Sequence, residues 1–146
     1  MNHTQQRLKQ AVLLFAAFFA VIISQAQTNT WKIILHKKTF LFASTENVEK
    51  NTRKLKMSDW KKSGSLEIEY TDSDSTTWYR SFIFTDKNDN ELFRTDSSFT
   101  AKIPLTQLRQ LYRGKKEIVI LTAVTPRDPN LAVRVRRVHL CTLQIK

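Results

Sequence analysis

Cys141 is the only cysteine in this 146-residue chain. No internal disulfide can form, so the core must hold by packing alone. Glycine is limited to Gly64 and Gly114, and proline to Pro104, Pro126 and Pro129. That scarcity excludes a linker or a low-complexity tract. It also removes phosphate-cradling glycine loops, and neither Gly-x-Ser-x-Gly nor His-Glu-x-x-His occurs. Histidine is confined to His3, His36 and His139, which leaves few members for a hydrolase triad. Acid is the minority charge, with 13 Asp and Glu against 24 Lys and Arg, a net charge of +11.

What the chain does have begins with an address. Residues 1–10 are polar and carry Arg7 and Lys9 with no acid, and Ala11 to Ile23 is an unbroken apolar run of 13 residues. Ser24-Gln25-Ala26 then sets small residues at the −3 and −1 positions of a cut before Gln27. These are the three parts of a secretory signal peptide, and the apolar run falls short of the roughly 20 residues a spanning helix needs. We therefore expect residues 1–26 to be a signal peptide and 27–146 a single exported domain with no integral membrane segment. Removal of Arg7 and Lys9 leaves 22 basic residues against 13 acidic ones, a net charge of +9.

The exported part is patterned mostly with period two, which predicts an all-β fold. Trp31 to His36 and Thr39 to Ser44 read as strands around Lys37-Lys38. Thr52 to Met57 alternates weakly, while Leu66, Ile68 and Tyr70 alternate with Glu67 and Glu69. Thr77 to Thr85 leads into an Asx-rich turn at Asp86 to Asn90, Glu91 to Thr95 returns from it, and Phe99 to Ile103 follows. Ser58 to Lys62 is expected to make one helical turn with Ser58 as cap, and Leu105 to Tyr112 a short helix closed by Gly114. Each helix is expected to cross between sheets. Glu117 to Thr125 is apolar on both faces. Ala132 to Ile145 reads as one long strand whose alternation slips at Arg136-Arg137, where a bulge would keep the apolar side chains inward. The whole predicts an antiparallel immunoglobulin-like β-sandwich with one or two helical crossovers, with a small barrel as the alternative. The outer side near Val119, Leu121, Leu140 or Leu143 needs a cover, and the Leu105–Tyr112 helix is preferred to a second subunit.

The signal segment, the Trp31-Lys32-Ile33-Ile34-Leu35 start and the closing Val133 to Thr142 resemble small exported β-sandwich proteins of Bacteroidota. The Ser24-Gln25-Ala26-Gln27 junction is similar to many exported proteins of that phylum. The resemblance implies periplasmic or extracellular location and supplies no active site. No C-terminal sorting domain is recognisable, which favours the periplasm.

Candidate chemistry is sparse. His36, His139, Cys141 and Met57 form the inventory of a blue-copper centre, and His139 and Cys141, two apart on a strand, should point the same way. Nothing after Cys141 supplies the remaining ligands of such a loop, so a buried apolar role for Cys141 is preferred and no cofactor is expected. Asp86, Asn88 and Asn90 alternate like calcium ligands, but Glu91 stands where the loop glycine belongs and Ser97 where the bidentate glutamate belongs, so a hairpin turn is preferred. Trp60, Trp78 and Tyr79 are possible sugar platforms, with core the commoner fate. Glu67 and Glu69 read as the wet face of a strand, and no catalytic role is expected for the protein.

The basic excess is the remaining lead. Arg134, Arg136 and Arg137 should lie near Lys115 and Lys116 if the last two strands pair as neighbours, forming a patch for an anionic envelope component. The alternative is a protein-interaction module that docks another exported protein through a sheet edge or outer face. Nucleic acid suits the charge but is not expected as a partner, given the expected export and the absence of its motifs.

Overall fold

Alternation decides the architecture. In Thr30–Leu35 (β1), Trp31, Ile33 and Leu35 are buried while Lys32 is exposed. In Ser65–Thr71 (β4), Leu66, Ile68 and Tyr70 repeat the pattern. A pleated strand sends alternate side chains to opposite faces, so each builds one wet and one dry surface. The computed structural model describes residues 29–72 and 78–146, and the expected signal segment lies outside them. The remaining strands are Lys38–Ala43 (β2), Thr52–Leu55 (β3), Trp78–Thr85 (β5), Glu91–Arg94 (β6), Thr100–Pro104 (β7), Glu117–Pro126 (β8) and Arg137–Ile145 (β9).

Two sheets form among the described residues. Sheet I has the order β2-β1-β4-β7 and sheet II the order β3-β9-β8-β5-β6. All pairings are antiparallel except β3 with β9, which is parallel. The dry faces enclose one core that includes Ile33, Leu66, Ile68, Phe82, Phe84, Ile118, Ile120, Cys141 and Leu143. The fold is a β-sandwich, as the alternation predicts.

Two helices, Met57–Lys61 (α1) and Leu105–Leu111 (α2), each carry the chain from one sheet to the other. The expected Ser58 cap is not formed: α1 starts at Met57 behind Lys56 without a side-chain cap. The cap position falls at Lys56, two residues before Ser58, and the Met57 N–H donates to the Lys146 carbonyl at 2.6 Å. Nor does α2 cover the outer face of sheet II. Its Leu105 and Leu108, with Tyr112 and Trp60, join the core between the sheets. The outer face instead lies under charged side chains with long stems: Arg94 bonds Ser81 and Glu91, and Arg137 reaches from β9 over β8 and β5 to Asp89 and Glu91.

The bulge is real but sits elsewhere. Ala132 to Arg136 forms no strand, and β9 begins at Arg137 opposite Ala123. Ile120 pairs with Cys141 and Leu121 with His139, which leaves Leu140 as the extra residue. Its carbonyl accepts a 3.0 Å bond from the indole N–H of Trp31 on the opposite sheet. Further toward the loop, Val124 to Pro126 pair only with β5.

The β1–β2 hairpin turns through His36 and Lys37, both with positive φ (50° and 64°). Two left-handed residues in succession match the twist of flanking strands. The turn places the His36 ring against α1, where Nε2 donates to the Asp59 carbonyl at 3.0 Å. Gly64, with φ 144°, passes so close that a Cβ there would sit 2.8 Å from His36 Nδ1. The Gly64→Ala protein should therefore be less stable by about 1–3 kcal/mol in urea denaturation, and an unchanged midpoint would contradict this packing.

Candidate anion-binding site

Strands β8 and β9 are neighbours, as the patch requires, but their direction separates it. Glu117 pairs with Gln144 and Ala123 with Arg137. Lys115 and Lys116 thus lie before one end of β8, and Arg134, Arg136 and Arg137 at the other. Six strand steps separate the two groups by roughly 20 Å. The five residues do not form one surface. Arg136 pairs with Glu46, Arg137 with Asp89 and Glu91, and Lys115 with Asp86 at 2.8 Å. Lys116 and Arg134 have no acidic partner among the described residues.

The lysine end opens into a pocket of about 830 Å³. Met57, Trp60 and Lys61 of α1 form one wall, and Arg109, Tyr112 and Arg113 another. The turn from Gly114 to Glu117 and the end of β9, Gln144 to Lys146, close it. Backbone bonds hold these walls in place. Ile145 N donates to Lys116 O at 2.8 Å, and Lys146 N to Leu55 O at 2.9 Å. Arg109 ties the helices together by donating to the carbonyls of Trp60 and Lys62 at 2.7 and 3.0 Å. Gly114, with φ 76°, makes the sharp exit from α2.

The charge of the pocket is one-sided. Lys61, Arg109, Arg113, Lys115, Lys116 and Lys146 line it against the single acidic side chain of Glu117. Its floor is apolar, built on the buried Trp60, Tyr112 and Ile145 beside the exposed Met57. The Tyr112 hydroxyl donates to the Thr85 carbonyl at 2.9 Å, and burial raises its pKa, so it stays a neutral donor. Lys115 is turned away by the buried Asp86. Asp86 Oδ1 also accepts the N–H groups of Asn88 and Asn90, and these bonds hold its carboxyl far below the usual carboxylate range. A smaller pocket of about 440 Å³, lined by Asp86, Lys87 and Asn88, shares the Gly114–Glu117 wall. The sequence singled out Lys115 and Lys116 but missed Arg109, Arg113 and Lys146 as parts of one site. Their convergence depends on two helical crossovers and a strand end, which carry no motif.

Other candidates resolve as structure. The bulge at Leu140 puts His139 and Cys141 on opposite faces: Cys141 in the core, and His139 beside Thr142, which pairs with Val119 outside it. That separates the two central ligands of the copper arrangement. Among the described residues no group of three His, Cys, Asp or Glu side chains could hold a metal ion. Burial pushes the Cys141 thiol up to about 12. Asp86, Asn88 and Asn90 form a hairpin turn, with the carboxylate spent on the turn's own donors. Trp60 is core, Trp78 half-buried and Tyr79 exposed. Glu67 and Glu69 pair with Lys102 and Lys32. Among the described residues no helix is long and apolar enough to cross a membrane. No family model, curated protein or solved structure matches the chain.

His139 is buried with Nε2 sharing a 2.8 Å hydrogen bond with Thr142 Oγ1, while Nδ1 has no partner among the described residues. Desolvation lowers its pKa below the ordinary 6.5, against an opposing pull from Glu46. The folded state then binds fewer protons than the unfolded one, so stability falls as pH drops below about 6.5. Unfolding free energy should decline between about pH 7 and pH 5, and the His139→Gln protein should lose that slope. An identical slope in both proteins would remove His139 as its source.

Proposed function

We propose that this chain is an exported, non-enzymatic β-sandwich that binds an anionic component of the cell envelope in its basic pocket. The observation that carries the reading is the convergence of Lys61, Arg109, Arg113, Lys116 and Lys146, against the one acidic side chain of Glu117, around about 830 Å³ with an apolar floor. Arg109 is held by backbone carbonyls, and the other four, Lys61, Arg113, Lys116 and Lys146, have no acidic partner among the described residues, so their charge is available to a ligand. The ion-paired carboxylates of sheet I and the deeply buried thiol of Cys141 support a binding role over a catalytic one.

Export rests on the first 26 residues and on the resemblance to small exported sandwich proteins of Bacteroidota, which favours periplasmic residence. The strand order supports an immunoglobulin-like reading of the fold: β1-β4-β7 would be one sheet and β9-β8-β5-β6 the other. A second reading, docking of a protein partner at a sheet edge, is supported by Phe42, 61% exposed on the edge strand β2.

Salt separates the two readings, because screening weakens charge contacts and spares apolar ones. Co-sedimentation of the protein with the delipidated envelope fraction of the producing cell should be strong at low salt and lost at high salt. The Arg113→Glu/Lys116→Glu protein should bind about tenfold more weakly at low salt, and undiminished binding would overturn the pocket as the site. Intact mass of the exported protein should correspond to a chain starting at Gln27; a mature form that retains Met1 would overturn the signal peptide.

A further inference from the structure

The opposite end of the sandwich carries a different surface. Between β8 and β9, Leu131, Val133 and Val135 are 55%, 41% and 47% exposed. Exposed aliphatics are ordinary when scattered, but three within five residues form a contiguous feature. Arginines interleave with them. Arg134 has no acidic partner among the described residues, and the Arg127 guanidinium lies 5.2 Å from the centre of the exposed Tyr79 ring. The loop's one acid, Asp128, is exposed and held on its own turn, where Oδ1 accepts the Asn130 N–H at 2.9 Å. Residues 132–136 thus keep the alternation of a strand and expose it without a strand partner.

We propose that the 127–136 loop seats the protein on an anionic lipid surface, with Leu131, Val133 and Val135 entering the acyl boundary and Arg134 meeting the headgroups. The inference goes beyond the pocket and does not rest on it. Charge complementarity selects the occupant: the loop offers cations and short aliphatics together, the two weak signals that jointly hold a protein on a bilayer. Addition of a partner strand is the competing use, and the flanks of the loop oppose it. Pro126 lacks the N–H that strand pairing needs. The free edge N–H of His139 on β9 is already bonded to Glu46 Oε1 at 3.0 Å, and the same carboxylate holds Arg136.

The test uses the protein as exported and protein-free vesicles of phosphatidylcholine, with and without phosphatidylglycerol. Co-sedimentation should require phosphatidylglycerol and fall about fivefold or more in the Arg134→Glu protein and in the Val133→Ser/Val135→Ser protein. Both changes lie on exposed positions outside the core. A Val133→Trp protein should show an added blue-shifted emission with phosphatidylglycerol vesicles. Equal sedimentation of parent and variants, or no emission shift, would overturn the proposal. Capture of soluble envelope proteins by a loop that ignores vesicles would overturn it in favour of a protein partner.

Discussion

The indole N–H of Trp31 crosses the interior from sheet I to the Leu140 carbonyl of sheet II, and much of the molecule is arranged around that bond. A bulge takes Leu140 out of the ladder, and a buried carbonyl left unpaired would be destabilising by about 1–3 kcal/mol. Trp31 also stacks on Tyr70, with ring centroids 6.0 Å apart and planes within 3°. Tyr70 in turn carries the Arg80 guanidinium 3.7 Å from its ring centre. Arg80 returns the path to sheet II, held by Asp72 at 2.6 Å and by Thr122 Oγ1 at 3.1 Å. A chain without disulfides thus couples its layers through directional contacts as well as apolar burial.

The same bulge governs which side chains reach which surface. One extra residue in β9 reverses the parity of everything before it relative to everything after it. Cys141, Leu143 and Ile145 face inward, and His139 with Thr142 faces outward. Beyond the bulge, β9 runs parallel to β3 and ends beside Leu55 and Lys116, where it closes the pocket. The basic wall is therefore a product of register as much as of composition.

Most of the strand set was legible because each strand is half-buried and alternates cleanly, as in Leu66, Ile68 and Tyr70. The Asx turn at Asp86 was legible because its side chains supply their own partners. The true place of the bulge was not, because Val133 and Val135 share the composition of a buried strand while standing in solvent. Nothing local distinguishes the two fates; the end of β8 pairing at Ala123 does. The basic cluster failed in a related way. Pairing of β8 with β9 alone predicts proximity, whereas their antiparallel direction sends Arg134 and Lys116 to opposite ends. The helix expected to cover the outer face of sheet II instead turns Leu105, Leu108 and Tyr112 into the core between the sheets, a choice of face that periodicity does not encode.

Strand β8 links the two basic ends directly, running from Glu117 at the pocket to Pro126 at the loop. Its ten residues span roughly 30 Å in extended conformation. A body resting on the loop end would hold the mouth of the pocket away from that support by the length of the strand, facing open water. On the two proposals together, the sandwich would act as a stand-off, with ligand capture and attachment kept from competing for the same surface.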